Sequence, residues 1–343
     1  MSPSAWDITE IGTALGMLAP SLSGAFSSRP DELRNVPDDM WDELHSNFLR
    51  GENTALFTAA FANGRFFLGA EEGLRGRPPR LVEWKGRHRV PGDDAIPADL
   101  RVDRVYLISC KYLSKILLNP GPSRLFDRGL LGDERSGADW FQEVSPVEYQ
   151  VFYEAVVRTA GLEGVPRHAA AMTSADRAVL RNALRARQLP DGCRDEWRYL
   201  CAAVASASAA RWTESLATPR ARLDMVWRML RISGSTYFVL GVAPSAVLRI
   251  RVASKWDWLQ AYELRGLDIG PRLAGQPEVE WVARIRRRLD RADIVVRGHV
   301  EIRWSHGRFQ GFPESKVYLD TPHVQVPGYH PMSFEPENQA LWG

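Results

Sequence analysis

The chain has 343 residues, 45% of them apolar and 25% charged, with a formal net charge of +2. That length holds more than one ordinary core, and that balance excludes a disordered or low-complexity chain. The charge surplus is too small to single out a nucleic-acid or membrane partner by itself.

Residues 38–49, with Met40, Trp41, Leu44 and Phe48 at helical spacing, predict an amphipathic helix. A second helical stretch covers 52–62 and meets a stop signal at Asn63-Gly64. After a loop at 73–79 the period changes to two. Strands are expected over 81–86, 98–102 and 105–112, with a turn-rich connector at 91–97 and a tight turn at Asp103-Arg104. Residues 119–139, rich in Gly, Pro and Arg, predict a surface excursion. Ser145, Pro146 and Glu148 have the spacing of a capping box with proline in the first turn, and open a helix that runs to about Ala160. The pattern from 174 to 230 is helical, and Thr173 or Ser174 with Asp176-Arg177 marks a start. Beyond Ser233-Gly234 strands are expected at 236–242, 246–252, 294–304 and 315–320, interrupted by a helix over 277–291. The organisation is an α/β N-terminal domain (1–160), a helical middle region (161–231) and a β-rich α+β C-terminal domain (232–343).

The three cysteines, Cys110, Cys193 and Cys201, form no CxxC and have no histidine at metal spacing, which points to reduced cytoplasmic thiols. The apolar stretch near the N-terminus follows Asp7 and Glu10 with no basic region, so it does not read as a signal peptide. The run 237–248 is short and contains Pro244, too little to span a bilayer. Only five of the 44 basic residues are lysines, and three of those, Lys85, Lys111 and Lys115, fall within one short stretch. A lysine kept where arginine is the default suits a place that needs a compact, deprotonatable ammonium.

The chemistry concentrates between residues 80 and 115. A turn at Asp103-Arg104 folds the strand before it against the strand after it, which brings Asp99 near Leu107 and gathers Asp99, Ser109 and Lys111 on one face. A carboxylate can hold a hard cation such as Mg²⁺ or Mn²⁺; the cation binds a scissile phosphate and acidifies a water, which a lysine orients. A second carboxylate completes such a site, and Glu83 on the preceding strand is the first choice, with Glu52 or Glu43 next. The bland alternative is that Asp99 caps a turn and Lys111 is an edge lysine that discourages pairing.

The segment Ile96-Pro97-Ala98-Asp99 followed by Ser109-Cys110-Lys111 resembles the PD-(D/E)xK nuclease superfamily, the restriction-endonuclease-like fold. Its members place an Asp at the start of one strand and an acidic-x-Lys triplet on the next. The resemblance covers residues 38–160 and departs from the pattern at Ser109, where the family has Glu or Asp. It implies an αβββαβ core and a metal-dependent DNA endonuclease or nickase. Asp99, Glu83, Ser109 and Lys111 would be its catalytic residues, with Asp99 and Glu83 on the metal. It also implies double-stranded DNA as the partner, a role in restriction or antiviral defence, and a homodimer or defence complex. Lys85 and Lys115, the basic run Arg286, Arg287 and Arg288 on the expected helix, and Trp304, His306, Arg308 and Lys316 are candidate nucleic-acid contacts. For the aromatics the alternative is packing in a small core. The competing functional class is a nuclease-fold DNA-binding subunit without catalysis, which Ser109 favours.

Overall fold

The computed structural model describes residues 3–86, 97–112, 116–127, 129–130, 139–184, 189–243 and 246–333. In place of three consecutive domains, the chain forms two interleaved units. The first comprises residues 1–114, 231–260 and 323–343, and the second 115–230 and 261–322. The expected boundary at 231 coincides with a crossing at 230–231, whereas the one at 160 has no counterpart and further crossings fall near 114, 260 and 322. The cause is strand pairing: the strand expected at 236–242 joins the N-terminal sheet instead of opening a separate domain.

In the first unit, four helices lead: α1 (Ala5–Leu18), α2 (Leu22–Ser27), α3 (Asp38–Leu49) and α4 (Thr54–Gly69). Ser4 starts α1 through a reciprocal capping box with Asp7. The apolar N-terminal stretch is this helix, buried through Ile8, Ile11 and Leu15. Helix α4 does not stop at Asn63-Gly64. A Cβ at Gly64 would lie 2.0 Å from the Thr13 carbonyl, and one at Gly16 would lie 2.1 Å from the Phe61 carbonyl. These glycines let α1 and α4 approach backbone to backbone, a use that looks the same as a helix stop in sequence. Asn63 is buried and accepts the Arg249 Nε at 3.2 Å.

The helices cover a sheet of β1 (Leu33–Arg34), β2 (Val82–Trp84), β3 (Leu100–Val102), β4 (Tyr106–Tyr112), β6 (Tyr237–Ala243), β7 (Ala246–Val252) and β12 (Tyr329–Pro331), in that spatial order. Strands β2, β3 and β4 form an antiparallel meander, and β6 runs parallel to β4. Val82, Trp84, Leu100, Val102, Ile108, Cys110, Phe238 and Leu240 alternate along their strands and share one core with Leu15, Phe57 and Phe67 of the helices. The turn at Asp103-Arg104 forms as expected, both residues at positive φ (49° and 59°). The Asp103 carboxylate accepts the Arg80 and Leu81 N–H groups, which ties the hairpin to the start of β2. A short helix, α11 (Lys255–Ala261), follows β7 and buries Trp258.

In the second unit, β5 (Ile116–Leu118), β11 (Glu314–Leu319), β10 (Asp293–Arg303), β9 (Pro277–Arg287) and β8 (Tyr262–Leu273) form an antiparallel sheet in that order. Its helices are α5 (Pro122–Phe126), α6 (Trp140–Val144), α7 (Pro146–Thr159), α8 (Ser174–Ala183), α9 (Arg194–Ser215) and α10 (Pro219–Met229). Three expectations change here. The helix expected over 277–291 is strand β9 and the turn after it. Val279, Trp281, Ala283 and Ile285 alternate inward, a period-two pattern that the arginine-rich end of the segment obscured. Gly298 on β10 makes room for Trp281, whose ring would lie 2.2 Å from a Cβ there. The excursion at 119–139 contains the buried α5, with Leu125 and Phe126 in the core. Ser145 precedes α7 but its side chain makes no cap hydrogen bond; Thr173 forms the capping box, with Asp176 at the start of α8.

Candidate active site

Asp99 stands one residue before β3. Its N–H donates to the Ile108 carbonyl at 2.8 Å, and its own carbonyl accepts the Lys85 N–H at 2.9 Å, so its backbone is held from both neighbouring strands. Its carboxylate turns to β4: Oδ2 accepts the Cys110 N–H at 2.7 Å and the Ser109 hydroxyl at 3.4 Å. Asp99 and Ser109 are both buried.

Ser109 and Lys111 alternate with the core residues Ile108 and Cys110, so they project from the other side of β4. Lys111 pairs with Gly241 of β6, and a Cβ at 241 would come within 2.9 Å of the Lys111 Cβ. Gly241 thus leaves room for the root of the lysine side chain. The Cys110 thiol senses the groups around it. Burial pushes its pKa well above the usual range, the charges of Asp99 and Glu10 push it further, and Lys111 opposes them. Glu10, on α1, accepts the Trp84 Nε1 at 2.6 Å. Sequence reasoning passed over Glu10 as a site residue, because nothing in its local pattern ties a residue of α1 to a hairpin so distant in the chain.

Glu83 requires a correction. Expected to share a cation with Asp99, it is instead gripped by the Arg101 guanidinium through two hydrogen bonds of 2.6 and 2.7 Å. The β2–β3 register sets Arg101 directly opposite Glu83, the position at which opposite charges on adjacent strands meet. Arg101, chiefly through the hydrogen bond, holds the Glu83 carboxyl below the usual carboxylate range. The next choices are also placed elsewhere. Glu52 binds Asn47 and Arg50 at the junction of α3 and α4, and Glu43 lies half-buried on α3.

Asp99, Glu10 and Ser109 are hard oxygen donors, the kind Mg²⁺ takes. Among the described residues no three or more His, Cys, Asp or Glu stand together as a metal-holding group. Asp99 meets Cys110 through its N–H and Glu10 acts on the Cys110 thiol through its charge, but Glu10 lies on the α1 side of the sheet, and Ser109 and Lys111 project from the other.

Comparison with protein-family models, curated proteins and solved structures returns no match to this chain.

The candidate nucleic-acid contacts scatter. Lys85 is half-buried just after β2, and Lys115 lies outside the described residues. Arg286, Arg287 and Arg288 are not on a helix: Arg286 pairs with Asp293 across the β9–β10 hairpin at 2.9 Å, Arg287 approaches Asp290 at 3.5 Å, and Arg288 donates to the Tyr262 carbonyl. Arg286 and Arg287 thus have acidic neighbours within the β9–β10 hairpin. Trp304 is buried against Phe141 and Phe309, with ring centroids 4.8 and 5.0 Å away, which is the core-packing alternative. Lys316 sits half-buried on β11, 4.0 Å from Glu314. His306 and Arg308 fall in the loop after β10, where His306 is exposed and Arg308 half-buried. No helix among the described residues is long and apolar enough to cross a membrane.

Proposed function

We propose that the first unit is a PD-(D/E)xK-like nuclease domain that cleaves or nicks double-stranded DNA, with its chemistry centred on Asp99 and Lys111. The observation that carries this reading is the chain order on the sheet. Helices precede an antiparallel β2–β3–β4 meander, and β6 later runs parallel to β4, which supports an αβββ–β order; the helices between β4 and β6 belong to the second unit. The Asp99–Ser109 contact falls at the start of β3, with Lys111 two residues farther along β4.

Mg²⁺ or Mn²⁺ would be held by Asp99, with Glu10 in place of Glu83 as the second carboxylate. A cation there neutralises phosphate charge and acidifies a bound water. The remaining roles belong to the chain. The Cys110 N–H and the Ser109 hydroxyl hold the Asp99 carboxylate in one orientation. Lys111 presents an ammonium to the charge that develops on the phosphate. Burial around Asp99 and Ser109 limits access of bulk water. Restriction or phage defence in the cytoplasm, as a homodimer or within a complex, is the setting this reading favours. The test is conversion of supercoiled plasmid to open-circular or linear DNA by the purified protein with Mg²⁺ or Mn²⁺, against a chelated control.

A second reading has its own support. Ser109 stands where the superfamily has an acid, and Glu83 is committed to Arg101. Both features suit a nuclease-fold subunit that binds DNA without cutting it. Such a protein shows salt-dependent DNA binding and no nicking with either metal.

A further inference from the structure

The second unit contains a cleft of about 660 Å³ bounded by α6, the start of α8, the turn at 169–171 and the loop at 310–312. That size lies within the roughly 300–1,000 Å³ typical of small-ligand clefts. One buried ion pair builds its wall. The Arg177 guanidinium donates to the Asp139 carboxylate at 2.8 Å and to the Gly311 carbonyl at 3.2 Å. Asp139 also accepts the Tyr149 hydroxyl at 3.0 Å, and it caps α6 by accepting the Phe141 N–H at 3.2 Å. A single pair thus ties α6, α7, α8 and the 310–312 loop together. Breaking it would strand a buried charge, so the wall is held in one arrangement before any ligand arrives.

The charges on this wall answer one another. Among the described residues that line it, Asp139 pairs with Arg177, and the remaining charge, Glu143, pairs with Arg211 at 2.7 Å. The cleft therefore has no excess of either sign to draw an ion. What it offers is an aromatic ring and neutral polar groups. Phe312 lines the cleft and is 44% exposed. The Arg177 guanidinium lies over its ring, 5.1 Å from the centroid, and a cation in that place steadies the ring. The rest of the ring is open to the cleft. Gln142 and Gln310, both half-buried, bring side-chain amides to the same wall, and Met172 adds apolar surface.

We propose that this cleft binds a nucleobase, either of a free nucleoside or carried by a DNA strand. A nucleobase is flat, is uncharged at neutral pH and carries donors and acceptors along its edge. Its face would stack on Phe312, and its edge would meet the amides of Gln142 and Gln310, each of which presents a donor and an acceptor in one plane. An anion would meet two carboxylates there and a guanidinium already committed to one of them. The cleft lies wholly within the second unit, and its test reads binding and not cleavage. The outcome is thus separate from that of the nuclease reading.

The experiment is isothermal titration of the full chain with the four deoxynucleosides, inorganic phosphate, a single-stranded hexadeoxynucleotide and an abasic strand of the same length. A nucleoside or the base-bearing strand should bind saturably. Phosphate should not, and the abasic strand should bind at least about tenfold more weakly than the base-bearing one. A nucleoside that binds as tightly as the strand identifies a free base as the source; tighter binding of the strand identifies a base carried on DNA. Phe312→Ala should weaken binding about tenfold or more, the loss expected for one stacking contact, and Phe312→Tyr, which keeps an aromatic face, should retain it. Val295→Ala removes a similarly exposed apolar side chain from β10, away from the cleft, and should change nothing. Circular dichroism checks each fold; should Phe312→Ala not fold, Gln310→Ala carries the test and should weaken binding in the same direction. Absence of saturable binding by every nucleoside and by the strand, equal binding of the abasic strand, or undiminished binding by a folded Phe312→Ala would overturn the proposal.

Discussion

The Cys110 N–H donates a 2.7 Å hydrogen bond to the carboxylate of Asp99. One strand backbone thereby aims the carboxylate that the neighbouring strand supplies. Side chains held by backbone donors are fixed before any ligand arrives, which is what a preorganised site needs. The same bond is also what a purely structural aspartate would make, so the two roles must be separated by substitution.

Asp99→Asn keeps an oxygen acceptor for the Cys110 N–H, whereas Asp99→Ala leaves that buried donor without one. The alanine variant should lose about 1–3 kcal/mol of stability and the asparagine variant distinctly less. Urea denaturation of both variants checks this. Both variants should also lose cleavage, since neither carries the negative charge. Full cleavage by a folded Asp99→Asn would confine Asp99 to its structural role.

The pairing of Glu83 with Arg101 makes a second prediction. Glu83→Gln should retain most plasmid nicking, and Glu10→Gln should lose it while keeping the fold, because a glutamine at 10 can still accept the Trp84 indole N–H. Circular dichroism alongside the nicking assay separates folding from activity. The opposite pattern would restore Glu83 to the cation and remove Glu10.

The α1–α4 crossing predicts a stability effect remote from the site. Gly64→Ala places a methyl 2.0 Å from the Thr13 carbonyl and should cost about 1–3 kcal/mol or more by overpacking. Gly234→Ala, where a Cβ meets nothing within 4 Å, is the control and should shift the thermal midpoint little. Equal behaviour of the two would mean that the helices do not approach as closely as described.

Two histidines give the first unit a pH dependence. Burial lowers the pKa of His323, and burial together with the Arg251 charge lowers that of His330, both below the ordinary value near 6.5. A lowered folded-state value means that the unfolded chain takes up protons first as pH falls. Stability is therefore complete above about pH 6.5 and declines as pH drops below it toward the folded-state values. Denaturation midpoints at pH 7.5 and 5.5 should differ in that direction, and His323→Gln should shrink the difference. An unchanged difference in that variant would assign the dependence to other groups.

Much of the first unit is visible in the sequence because its signals are local. Met40, Trp41, Leu44 and Phe48 mark α3, the Asp103-Arg104 turn marks the β3–β4 hairpin, and the run through Cys110 and Lys111 marks β4. What the sequence does not show depends on partners far along the chain. Gly64 looks like a helix stop until α1 lies against it, and Arg101 looks like a surface residue until register sets it across from Glu83. The arginines after Ile285 mask the alternation of Val279, Trp281 and Ala283, so β9 reads as helix. The return of residues 237–243 beside β4 is a non-local pairing with no local signature. Asp99, Ser109 and Lys111 were accessible because one hairpin carries all three; Glu10 was not, because only the fold brings α1 to that hairpin.

The central claim is that Asp99 and Lys111 form the reactive end of a nuclease. The most direct measurement is Mg²⁺- or Mn²⁺-dependent nicking of supercoiled plasmid by the wild-type chain and by Lys111→Ala, with DNA binding and circular dichroism recorded on the same preparations. The account predicts nicking by the wild type and a loss of at least about a hundredfold in Lys111→Ala with fold and binding retained, the scale of removing one charge that stabilises the transition state. Undiminished nicking by a folded Lys111→Ala would contradict it.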